Sequence, residues 1–84
     1  MDDLRRAVVE AIAPWAAKAP ENILDTDDVE HDLLFDSLDW IEAAMAVEDR
    51  FGVSIEDDFG GASAPRTVGA LIAAVRKQKA VGAA

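Results

Sequence analysis

Ser37 is the side chain in this sequence best placed to do chemistry. It lies in "LLFDSLDWIEAAM", residues 33–45, between Asp36 and Asp39, where an irregular acidic stretch gives way to a helical pattern. A serine there has three uses: to cap the helix, to act as a nucleophile, or to carry an attached group. As a cap, its hydroxyl would turn back onto the N–H of Asp39 or Trp40. Asp36 is an equally good cap one residue earlier. With Asp36 capping, Ser37 becomes the first helical residue and its hydroxyl projects freely. A phosphate ester at that point would meet the unsatisfied N–H groups and the positive dipole end of the helix. A hydrolytic triad instead needs a base within hydrogen-bond reach. His31 is the sole histidine, and nothing in the sequence places it beside Ser37. The acidic run "DTDDVEHDLLFD" resembles a calcium loop only in composition. Val29 and Leu33 occupy ligand positions, and Glu30 stands where the turn needs a glycine. No metal site is expected. The chain has no cysteine, hence no disulfide, thiolate ligand or thiol nucleophile of its own.

The elements that must position Ser37 follow from periodicity. Leu4, Val8, Ile12 and Trp15 form one helical stripe, and Asp2 and Asp3 suit its positive end. Pro14 lacks an N–H and clashes with the preceding turn, so helix 1 should kink there or stop short of Lys18, with Pro20 closing it. Residues 21–36 have no sustained period and read as a long loop, although Ile23, Val29, Leu33 and Phe35 suit a core. Helix 2 is expected from Ser37 to Phe51 with Gly52 as its stop. Residues 56–61, "EDDFGG", suit one short helical turn. The last helix follows Pro65 and Thr67, with Val68, Leu71, Ile72 and Val75 as its stripe and Arg76, Lys77 and Lys79 at its negative end. Residues 79–84 read as a frayed tail. The 84 residues therefore predict one all-α domain, with three main helices, one short helix and a long loop between helices 1 and 2.

Helix 2 carries two apolar faces. At about 100° per residue from Ser37, the side chains of Trp40, Ala43, Ala44, Val47 and Phe51 fall within a sector of about 100° that faces the core. Leu38, Ile41 and Met45 fall on a different side, the side of the serine, edged by Glu42, Glu48 and Asp49. A surface helix in a small domain does not need a second apolar strip. A greasy centre with a charged rim is the pattern of a partner site.

Charge narrows the partner. Fourteen of the seventeen acids lie from Glu21 to Asp58 beside one base, Arg50, and the formal net charge is −9. Phosphate repulsion makes nucleic acid a poor partner. On charge alone the acids serve first to keep a small domain soluble, and the sharper reading is a surface for basic proteins. No apolar run is long enough to span a bilayer, and "MDDLRR" is not followed by the apolar region of a secretory signal. A monomer in the cytoplasm is expected.

Asp36-Ser37-Leu38-Asp39 resembles the "DSL" attachment motif of acyl carrier proteins. The similarity extends to Asp32-Leu33 before it, to Ile41-Glu42, Met45, Glu48, Phe51 and Ile55 after it, and to Thr67-Val68 at the last helix. It implies an acyl-carrier-type bundle whose Ser37 receives 4′-phosphopantetheine from coenzyme A through a phosphopantetheinyl transferase. The arm's thiol would then hold an acyl chain as a thioester and present it to acyl-transfer or condensing enzymes with basic docking patches. The resemblance assigns docking to Asp36, Leu38, Asp39, Ile41, Glu42, Met45, Glu48 and Asp49, and an acyl pocket to Trp40, Ala44 and Val47. The carrier itself would not be an enzyme. Departures are Leu34 where the family usually has glycine, the bulky Trp40, the small Ala43 and Ala44, and "EDDFGGASAP" before the last helix. They point to a specialised carrier, in polyketide, unusual-lipid or other secondary metabolism, over the housekeeping carrier of fatty-acid synthesis. A peptidyl or aminoacyl carrier shares the fold but commonly has Gly-Gly or Gly-His before its serine, against Phe35-Asp36 here. An unmodified acidic adaptor is the alternative outside the carrier class.

Overall fold

A computed structural model describes residues 3–55 and 66–83, with side chains described to residue 79 in the last helix. The order is α1 (Asp3–Ile12), 3₁₀ turns at Ala13–Trp15 and Pro20–Asn22, α2 (Ser37–Phe51) and α3 (Val68–Ala83). Among the described residues the fold is all-α, with one isolated antiparallel bridge between Asp28 and Thr67 in place of any strand. The short turn expected at 56–61 lies outside the described residues. α3 continues to Ala83, into the stretch that composition alone assigns to a frayed tail.

Helix 1 is shorter than its stripe allows. Pro14 cannot donate to the carbonyl four residues back, so the α-helix ends at Ile12 and tightens into a 3₁₀ turn. Pro20 does not close that helix; it opens a separate 3₁₀ turn, where its fixed φ is pre-set. α2 has the predicted bounds. Gly52 terminates it at φ 66°, a left-handed conformation that only glycine adopts without steric cost, and its N–H donates to Glu48 O at 2.8 Å.

The core is built from all three helices and the loop. α1 supplies Val8, Val9 and Ile12, α2 supplies Ala43 and Val47, and α3 supplies Val68, Leu71, Ile72, Ala74 and Val75. The loop adds Ile23, Val29, Leu33 and Phe35, so the unperiodic segment is as anchored as a helix. Trp40, Ala44 and Phe51 are only partly buried, at the margin of this core.

The loop is also the N-terminal cap of α3. The first N–H groups of a helix have no partner within it. Here Val68 N–H donates to Asp27 O at 2.9 Å and Gly69 N–H donates to Asp25 O at 2.8 Å. Thr67 Oγ1 accepts from Ala70 N–H at 3.1 Å. A Cβ on residue 69 would lie 3.1 Å from Asp25 O, so glycine permits this close approach. Arg5 holds the same loop from α1, donating to Ile23 O and to the Asp25 carboxylate.

Asp27 is the buried acid of this arrangement. Its carboxylate accepts from Leu24 N–H at 2.9 Å and from Lys18 Nζ at 3.0 and 3.1 Å. The Leu24 N–H first, and then Lys18, hold its pKa below the ordinary carboxylate value. A depressed folded-state pKa means stability that is present above the unfolded-state pKa and is lost as pH falls through the folded one. The melting temperature should therefore hold steady above about pH 5 and fall below about pH 4. Asp27→Asn should melt lower at neutral pH and show a shallower acid decline, as read by thermal melts from pH 7 to pH 2.5.

Candidate functional site

The turn into α2 delivers Ser37 to the surface. Leu33 and Phe35 are buried on either side of Leu34. Leu33 N–H donates to Asp28 O, Phe35 N–H donates to Val29 O, and Leu33 O accepts from Ala17 N–H. The chain can satisfy both neighbours only by turning at Leu34, which adopts φ 61°. A leucine there costs about 1–2 kcal/mol relative to glycine-like freedom.

Asp36 then caps the helix. Its Oδ1 accepts from Asp39 N–H at 2.7 Å, and Asp39 Oδ2 accepts from Asp36 N–H at 3.1 Å, a reciprocal capping box. Ser37 is the first helical residue and is exposed. The cap is thus the aspartate, and the serine hydroxyl is left to project.

A pocket of about 240 Å³ adjoins Ser37. It is lined by Val29, Glu30, Phe35, Asp36, Ser37, Trp40 and Arg66. The Arg66 guanidinium lies over the Trp40 ring, 5.9 Å from its centroid. Of the three residues predicted to form an acyl pocket, only Trp40 lines it. Val47 is fully buried in the core, and the space opens instead toward the loop and the start of α3. Arg66 has no periodicity to mark it; its only sequence signal is its isolation, a single base between the acidic segment and α3.

The second apolar strip is exposed: Leu38 at 61%, Ile41 at 54% and Met45 at 58%. The acids around it are less free than helical geometry alone indicates. Asp36 and Asp39 form the cap. Glu42 Oε2 accepts from Trp15 Nε1 at 2.9 Å, tying α2 to the 3₁₀ turn that follows α1. Glu48 Oε2 accepts from Ile55 N–H at 2.9 Å and is half-buried. Asp49 is exposed. His31 is not in the pocket lining; its Nδ1 lies 3.2 Å from Asp28 Oδ1. Asp28 in turn accepts from the N–H groups of His31, the main cause of its lowered pKa, and of Glu30. These carboxylates order their own turn, and among the described residues no hydrogen bond joins His31 to Ser37.

The family model described as "Phosphopantetheine attachment site" matches residues 6–75. The chain belongs to this family. No solved structure gives a significant match. Membership makes the protein a carrier of 4′-phosphopantetheine, with a phosphopantetheinyl transferase and acyl-handling enzymes as general partners. No helix among the described residues is long and apolar enough to cross a membrane. The residues present fit the group. The carrier offers an exposed hydroxyl at a helix start, where the first N–H groups attract a phosphate, and it places Arg66 in the adjoining pocket wall.

The bond from Ile55 to Glu48 joins α2 to the chain beyond Gly52, and it separates folding from docking at this acid. Glu48→Ala should lose about 1–2 kcal/mol in urea unfolding, because the Ile55 N–H is left without its acceptor. Glu48→Gln, which retains a carbonyl oxygen, should recover most of the loss.

Proposed function

We propose that this carrier bears acyl intermediates as thioesters on a phosphopantetheine arm attached to Ser37. The observation that carries this reading is the division of labour at the start of α2. Asp36 and Asp39 satisfy the cap, and the neighbouring serine is exposed on the first turn. On attachment Ser37 Oγ would lose its proton and bond to the pantetheine-bearing phosphorus of coenzyme A. The P–O bond of the pyrophosphate would break, and adenosine 3′,5′-bisphosphate would leave. The charge of the resulting phosphodiester falls at the positive end of α2. When bound, the arm supplies the thiol that this cysteine-free chain lacks, and a thioester on it is activated for acyl transfer and carbon–carbon bond formation. The chain's own residues hold the attachment point and offer a face for docking; they need do no catalysis.

The exposed strip of Leu38, Ile41 and Met45, with Asp49 beside it and a net charge of −9, suits enzymes with an apolar centre and a basic rim. Phe35-Asp36 before the serine favours an acyl over a peptidyl carrier. At about 240 Å³ the pocket beside Ser37 is below the roughly 300–1,000 Å³ usual for ligand cavities. It suits the near end of the arm or a short chain. A specialised pathway, such as polyketide or unusual-lipid synthesis, and a cytoplasmic setting complete the reading.

Incubation with coenzyme A and a phosphopantetheinyl transferase should give one added arm by intact mass, absent in Ser37→Ala. An acyl group then transferred to the arm should be released by hydroxylamine, as a thioester is. An arm that persists in Ser37→Ala removes the site, and no addition to the wild type removes the carrier reading.

A further inference from the structure

Leu34 is the one non-glycine residue with positive φ among those described, at 61°. The turn explains the backbone. Leu33 and Phe35 are both buried and hydrogen-bonded, and the chain must reverse between them. The turn does not explain the leucine. Glycine adopts this conformation without steric cost, and a leucine does not. Nor does packing explain it, since Leu34 is 64% exposed, more than Leu38, Ile41 or Met45. A strained backbone bearing a large apolar side chain in water has no return within the fold. Such an outlier points to a use outside it.

Position identifies the use. Leu34 precedes Ser37 by three residues and Leu38 follows it by one, so exposed leucines flank the serine in the chain. An enzyme that reaches the Ser37 hydroxyl must cover the surface beside it. Asp36 and Asp39 are their near neighbours in the sequence, on a chain of net charge −9. We propose that Leu34 is a recognition residue for the phosphopantetheinyl transferase, inserting into an apolar recess with a cationic rim when that enzyme engages Ser37. The proposal rests on Ser37 as the attachment point. Buried apolar anchors beside charged rims dominate such contacts, so the residue governs how well the carrier is captured and leaves the transfer chemistry alone.

Three forms of the unloaded carrier test this: wild type, Leu34→Gly and Leu34→Met. Each is melted, then loaded from coenzyme A by a transferase dedicated to acyl carriers, with initial rates read by intact mass across carrier concentrations. Leu34→Gly should melt no lower than wild type and lose about fivefold or more in kcat/KM, mostly through KM. Leu34→Met, which keeps both the strain and the apolar surface, should stay within about twofold of wild type. Loading of Leu34→Gly at the wild-type rate overturns the proposal. So does a lower melting temperature for Leu34→Gly, which would make the side chain structural. If the wild type is not loaded at all, the attachment reading fails first and the proposal goes with it.

Discussion

Two buried side chains one residue apart, Leu33 and Phe35, set the geometry on which the site depends. Each is fixed by a backbone hydrogen bond to the Asp28–Val29 turn. Their burial forces the reversal at Leu34 and aims the next residue, Asp36, at the start of α2. From there the capping box follows, and Ser37 is exposed as a consequence. The backbone strain at Leu34 is offset by two core contacts and their hydrogen bonds, which together exceed a penalty of about 1–2 kcal/mol.

α2 and α3 meet the problem of unpaired first-turn N–H groups in different ways. α3 gives its donors to the loop, through Asp25 O, Asp27 O and the Thr67 hydroxyl. That arrangement is structural, and it fixes the loop that carries Leu33 and Phe35. α2 uses side chains, Asp36 and Asp39, and its first residue is the serine. The capping box takes the Asp39 N–H and leaves those of Ser37 and Leu38, beside the reactive hydroxyl, to meet a phosphate, whereas the first N–H groups of α3 are taken by the loop. The acidic surface has the same double character. Glu42 and Glu48 are tied to Trp15 and Ile55, while the apolar strip they border stays exposed.

Local chemistry was legible in the sequence. The bounds of α2 follow from Asp36 as a cap and Gly52 as a stop, and its two faces follow from a simple period. The apolar residues of the loop could be chosen as core members because nothing else would bury them. Long-range partners were not legible. The loop's carbonyls capping α3 have no side-chain signature, and Glu42 and Glu48 reach partners 27 and 7 residues away. Pro14 marked the end of α1, but the part given to Pro20 was wrong: the stripe through Trp15 continues in a 3₁₀ turn after the α-helix has stopped, and Pro20 opens a second turn. The space beside Ser37 was not legible for a related reason. Val47 shares the core face of α2, but the open space is shaped by Arg66 and the loop, which no helical period contains.

The most direct measurement is amide hydrogen exchange across the first turn of α2, with thermal melts, in Asp36→Ala and Ser37→Ala of the unloaded protein. Asp36→Ala should speed exchange at Asp39 and lower stability by about 1 kcal/mol. Ser37→Ala should leave exchange unchanged and stability within about 0.5 kcal/mol. The opposite pattern, with Ser37→Ala loosening the turn and Asp36→Ala neutral, would make the serine hydroxyl the cap and contradict its freedom to carry a group.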